Sequence, residues 1–272
     1  MKELKYNIAL LKSRKEFYIG MICIFLLPFV HFVMNCQYLM NNGNYTGFAQ
    51  LYRSAEFQMI LTNVEMAFGP ILVFGFPMLC HYMFGDSYYN ENKQEYAVFL
   101  QPRLNHKKNV LSKLAVSMVV PFIVILSSLL LNYFLTVYVF GSNFNSDLIG
   151  LPVFHIWDQP FYFLDAVRFV APMLYGVLIC LSISFLSALL SGLAFSLSCF
   201  IKNKILNYFA IILVMILDMF VLQFFAPEYS TVVQMQVISH YTVFQYGVDC
   251  LLIVMMIGIL MFIKLRKNDV YE

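Results

Sequence analysis

The chain reads as an all-α polytopic membrane protein, and three observations predict that class. Of its 272 residues, 61% are hydrophobic and only 12% charged, with a mean hydropathy of +0.75. That is more apolar surface than one soluble core can hide. Six apolar runs are each long enough for a hydrocarbon layer of roughly 30 Å, which takes about 20 residues of helix. The runs are continuous, whereas barrel strands alternate over about ten residues. Basic residues, finally, gather between the runs on one side only.

The elements follow in order. Along residues 1–16 and just beyond, Leu4, Ile8, Leu11 and Tyr18 fall at helical spacing with Lys5, Lys12 and Lys15 mostly off that stripe. This pattern fits a helix lying in the membrane interface, and equally an ordinary basic flank. The first run has no small-residue cleavage signature and reads as a retained helix. The spans are placed at 17–40, 58–84, 114–140, 167–201, 205–226 and 244–263, as a single transmembrane domain over 1–272. Pro70 and Pro77 with Gly69 and Gly75 predict distortion in the second span. The fourth would reach about 52 Å as one helix, so it should protrude or bend near Pro172. Its Ser184, Ser187, Ala188, Ser191 and Ser198 lie on one face, which favours a tight helix contact over a substrate groove.

Fifteen of the 17 Lys and Arg residues fall before span 1, between spans 2 and 3, between 4 and 5, and after 6; Arg53 and Arg168 are the exceptions. Cytoplasmic flanks hold such an excess, so both termini are expected in the cytoplasm. The opposite loops carry Glu56, Asp147, Asp158, Asp165 and Glu228. With a net charge of +2 nothing points to nucleic acid. The six cysteines lie in apolar runs without CxxC spacing, which argues against a disulfide framework or a zinc site.

The only long cytoplasmic loop is 85–113. Within it, 91–100 lacks Gly and Pro and ends before Pro102, which fits a short helix. Glu91, Lys93 and Glu95 give way to Val98, Phe99 and Leu100, an apolar tip that something should cover: a partner, or the protein's own helix ends. The order of acidic residue, short helix, "FLQPRLNHKKNVLSK" and new span resembles the loop of bacterial ABC-2 type transporter permeases. The matching positions are Glu95, Leu100, Pro102, Arg103 and Lys113; Arg103 directly follows Pro102, where many family members place small residues between.

The resemblance extends over nearly the whole chain, through the N-terminal helix, six spans and long second cytoplasmic loop. It implies a multi-pass subunit of the bacterial plasma membrane whose coupling helix, with Glu91, Glu95, Phe99, Leu100 and Arg103, docks on a separate ATPase. No GxxxxGK[ST] occurs in the chain. ATP and Mg are therefore expected in the partner ATPase, in two copies, with no cofactor in this chain. A second permease subunit, identical or homologous, would complete the conduit. The segment 227–243 is too apolar for a free loop; it resembles the re-entrant outer segment of these permeases, with an interfacial helix as the competing reading.

Ionisable residues at membrane depth cost roughly 2.5 to 3.5 kcal/mol on insertion scales, so each is a functional candidate. Glu65, Asp218, Asp249 and His31 all fall in the outer halves of their spans and form a candidate translocation path, with a partly wet helix end as the plain alternative for Glu65 and Asp249. Asp218 lies deepest and invites a partner such as His31. Acidic outer loops and 17% aromatic residues suit export of an amphipathic, cationic peptide of the bacteriocin, lantibiotic or toxin-like kind. Drugs or lipid-linked glycans are alternative cargoes. A different class is a membrane-embedded enzyme like intramembrane aspartyl proteases, since Asp218 and Asp249 sit on adjacent spans. The Gly-x-Gly-Asp pattern of that family is missing around Asp249, and neither HExxH nor GxSxG is present.

Overall fold

The structure, a computed structural model, describes residues 2–41, 68–93, 105–140, 163–164, 167, 171–235 and 241–266. Helix α1 (Lys2–Ser13) turns at Arg14 into α2 (Lys15–Asn41), and α3 (Phe68–Cys80) runs into a π-helical turn, His81–Gly85. Then come α4 (Ser87–Lys93), α5 (His106–Phe140), α6 (Pro172–Ser198) and α7 (Lys204–Phe225). A 3-10 turn (Pro227–Tyr229), α8 (Thr231–Gln234) and α9 (Val243–Arg266) complete the described elements. Five of these helices, α2, α5, α6, α7 and α9, are long and apolar enough to cross a membrane. The second expected span lies partly outside the described residues, and α3 with its π turn forms the described part.

Local chemistry sets several of the ends. Asn203 caps α7, its side chain accepting from the amides of Ile205 (2.9 Å) and Leu206 (3.5 Å). Thr242 and Gln245 form a reciprocal capping box at the start of α9, each side chain accepting from the other's amide. Ser13 and Tyr18 hydroxyls donate to the carbonyls of Leu10 and Lys12, closing the end of α1. Two boundaries differ from the sequence expectation. The fourth run is interrupted at Ala171, and Pro172 opens α6, where its missing amide costs nothing; the helix from Pro172 is about 40 Å long. Helix α5 starts at His106, eight residues before the expected start, and Asn105 caps it, its side chain accepting from the Lys108 amide. Hydropathy marks where a helix enters lipid and not where its hydrogen bonds begin.

Helix α6 is the hub, packed on α3, α5, α7 and α9, while α5 also carries α1 and α2. The serine face does seal helix contacts: Ser184, Ser187, Ala188, Ser191 and Ser198 are all buried. A Cβ on Gly176 would meet the Tyr133 ring at 2.3 Å, and one on Gly192 would meet Met118 at 2.7 Å, so α5 and α6 touch through glycines. Prolines join the scheme. Pro28 and Pro121 sit inside α2 and α5, and each leaves the carbonyl four residues earlier without its amide donor. Ser128 Oγ donates to Ile24 O at 2.7 Å, and Ser191 Oγ donates to Ser117 O at 2.7 Å. Each freed carbonyl is thus satisfied by a serine from the adjoining helix. Asn132 adds a bond to Pro28 O at 2.8 Å.

Outward faces of α2, α7 and α9 expose Ile22, Phe29, Leu217, Phe220, Met255 and Phe262. Such a broad apolar surface suits hydrocarbon as solvent. Helix α1 packs its Asn7 and Leu11 against the start of α5 and leaves Leu4 and Ile8 exposed. All six cysteines are free.

Candidate functional site

Two polar clusters sit at opposite ends of the bundle. At the end where basic residues concentrate, the chain leaves the π turn at Asp86. Arg14, at the break between α1 and α2, places Nη2 2.7 Å from Asp86 Oδ1, and the Asp86 side chain is only 3% exposed. The other oxygen, Oδ2, accepts from Tyr208 Oη on α7 (2.8 Å) and from Asn90 Nδ2 (2.7 Å). Leu11, Phe84 and Val116 form a small apolar cluster beside this pair, with the Arg14 guanidinium 5.9 Å from the Phe84 ring centroid. One helical turn further, Glu91 forms an ion pair with Lys113 of α5, whose side chain is fully buried.

More contacts fix the same segment. Ser198 Oγ of α6 donates to Gly85 O at 2.9 Å. Lys264 of α9 holds its ammonium 4.9 Å from the Tyr88 ring centroid. Asn7 donates to Asn109 Oδ1 (3.1 Å) and Ser112 Oγ (2.8 Å), tying α1 to α5 beside it. Burial first, then the nearby Glu91 carboxylate, pushes the Tyr6 hydroxyl above its ordinary pKa. Residues 85–93 are therefore gripped by the α1–α2 junction and by α5, α6, α7 and α9. Buried ion pairs of this kind add little net stability when complete, but removing one partner costs about 3–5 kcal/mol. They specify position.

At the opposite end the chain breaks between α7 and α9. Asp218 Oδ2 accepts from Ser230 Oγ (3.0 Å) and the Thr231 amide (2.9 Å), and Thr231 Oγ1 donates to Asp249 Oδ1 at 3.3 Å. Asp249 is 4% exposed. Gln245 Nε2 bonds Glu228 Oε2 at 2.9 Å, and Gln234 Nε2 bonds the Glu228 carbonyl at 3.1 Å. Tyr241, buried, donates to Gln234 O at 2.9 Å and stacks against Phe163 with centroids 5.0 Å apart. No family model matches this chain, and no curated protein or solved structure matches it either.

The structure thus brings together two members of the expected path, Asp218 and Asp249. His31 is not Asp218's partner: hydroxyl and amide donors take that place, and His31 lies on α2 beside Asn35, 3.4 Å away. Glu65, Glu95, Phe99, Leu100 and Arg103 lie outside the described residues. Glu91 lies inside them, its carboxylate engaged with Lys113. The short helix begins at Ser87, four residues before its expected start at 91. His81, at the start of the π turn, is fully buried, 6.1 Å from the Tyr208 ring.

Sequence reasoning missed the Arg14–Asp86–Tyr208 linkage. Its one legible signal was an acid directly after an apolar run and a lone arginine between two helices. Among the described residues no group of three or more His, Cys, Asp or Glu side chains gathers that could hold a metal ion.

Proposed function

We propose that the chain is the membrane-embedded permease subunit of an ATP-driven ABC-2 type exporter, with six spans and both termini in the cytoplasm. The observation that carries this reading is the grip on residues 85–93. A loop that only joined two spans would need no buried ion pairs. A segment that must pass displacement from a cytoplasmic motor into the bundle needs firm attachment to several helices, and this one is held by four of them and by the α1–α2 junction. In this reading Glu95, Phe99 and Leu100, just beyond the gripped segment, meet the ATPase with Arg103 nearby. Glu91 acts on coupling by positioning them through Lys113. Two copies of the ATPase bind ATP and Mg, and a second permease copy or homologue completes the conduit. The cargo is an amphipathic, cationic peptide, drawn by acidic groups at the outer end.

The test is permease-stimulated ATP hydrolysis by the reconstituted complex. Glu95→Lys should abolish the stimulation while membrane insertion stays intact, and normal coupling in that variant would refute the docking assignment. The meeting of Asp218 and Asp249 also favours a second reading, an intramembrane aspartyl hydrolase. That reading requires the isolated chain to cleave a transmembrane peptide substrate and to lose the activity in Asp249→Asn.

A further inference from the structure

One residue joins the two carboxyl groups at the outer end. The Thr231 amide donates to Asp218 and its hydroxyl to Asp249, so α7 and α9 are tied through a four-residue helix lying in a break between spans. Neither carboxyl group has an ion-pair partner among the described residues. Asp249 Oδ2 is fully buried and receives no hydrogen bond. Gln234 Oε1, three residues beyond Thr231 on α8, is buried and receives none either. Buried acceptors left without donors cost about 1–3 kcal/mol each. A bare carboxylate oxygen tied through Thr231 to a second carboxyl group lacks positive charge, not further oxygen.

We infer that Asp218, Thr231, Asp249 and Gln234 form a binding site for one small monovalent cation of the sodium class. The donor set is all oxygen, which suits a hard cation and not a thiophilic or imidazole-seeking metal. Asp249 Oδ2 is buried, which favours a small bare ion over a bulky peptide ammonium or guanidinium. Asp218 is only half-buried and forms the entrance. With two carboxyl groups and two neutral oxygens the set falls short of the six to eight ligands that calcium takes. Many transporters hold such ions where a membrane helix is interrupted, because oxygens freed from helical hydrogen bonding can turn inward there.

Purified full-length protein in nanodiscs of zwitterionic lipid, titrated with radioactive Na+ against N-methylglucamine at constant ionic strength and near-neutral pH, tests the site. Saturable binding of about one Na+ per chain is expected, displaced by Li+ and unaffected by N-methylglucamine. Asp249→Asn and Thr231→Val should each weaken it by about tenfold or more, with size-exclusion profiles reporting whether each variant folds. Absence of saturable binding in the unmodified protein overturns the site whatever the variants do. So does binding that is unchanged in a folded Asp249→Asn or Thr231→Val, or a carboxyl infrared band that responds to pH but not to Na+. The measurement needs neither ATPase nor cargo, so its failure leaves the transport reading standing and failure of the Glu95→Lys test leaves the ion site standing.

Discussion

Replacing Glu91 by Gln removes one charge from a pair whose other member cannot escape. The Lys113 side chain is fully buried, while that of Glu91 is 13% exposed. An ammonium stranded without its counter-ion costs about 3–5 kcal/mol, which raises the unfolding equilibrium constant about a hundredfold or more. Lys113→Met should cost less, because it takes the buried charge away and leaves the partner that still touches solvent. The double variant Glu91→Gln/Lys113→Met should recover most of the loss, since no uncompensated charge remains and the methionine keeps an unbranched chain in the same space. The assay is equilibrium unfolding of the purified protein in mixed detergent micelles, at low and at high salt. Salt should change the result little, because buried pairs are weakly screened. If Glu91→Gln lies within about 0.5 kcal/mol of the parent, the ordinary range for surface changes, the pair is not the clamp described. A double variant as unstable as the worse single variant would also refute the reasoning.

Other outcomes follow from the packing between helices. Ser191→Ala should cost about 1–3 kcal/mol by orphaning the Ser117 carbonyl, read in the same unfolding assay. In a Pro121→Ala background the same change should cost less, because the restored amide takes over the carbonyl. Gly176→Ala, whose Cβ would meet the Tyr133 ring, should lower thermal stability measurably. Gly247→Ala, with nothing within 4 Å of its Cβ, should be neutral or stabilising by about 0.5–1 kcal/mol.

The cores of the apolar runs and the caps at Asn203, Thr242 and Gln245 were open to reading in the one-dimensional chain. Their causes are local: about 20 apolar residues demand a helix in hydrocarbon whatever else the protein does, and a cap acts within one turn. The basic flanks were legible for the same reason, and Arg14, Lys113 and Lys264 do converge on one end of the bundle. Which partners those charges take was not legible. Arg14 meets Asp86 72 residues away and Tyr208 reaches Asp86 across 122, and only the packing of α7 beside the α1–α2 junction decides that. The start of α5 at His106 was hidden because its first turns are polar, so hydropathy saw a loop where hydrogen bonding built a helix. Pro28 and Pro121 were visible as helix breakers, yet whether they broke anything depended on Ser128 and Ser191 arriving from other helices. That Asp218 and Asp249 share a depth on adjacent spans was legible, but their link through Thr231 was beyond the sequence. A carboxyl group's depth can be counted along its own helix, but its neighbours are set by how that helix is rotated and by where the chain between α7 and α9 folds back. Helices are local objects bound by contacts within four residues; a site is made of side chains from several of them, and only their packing brings those together.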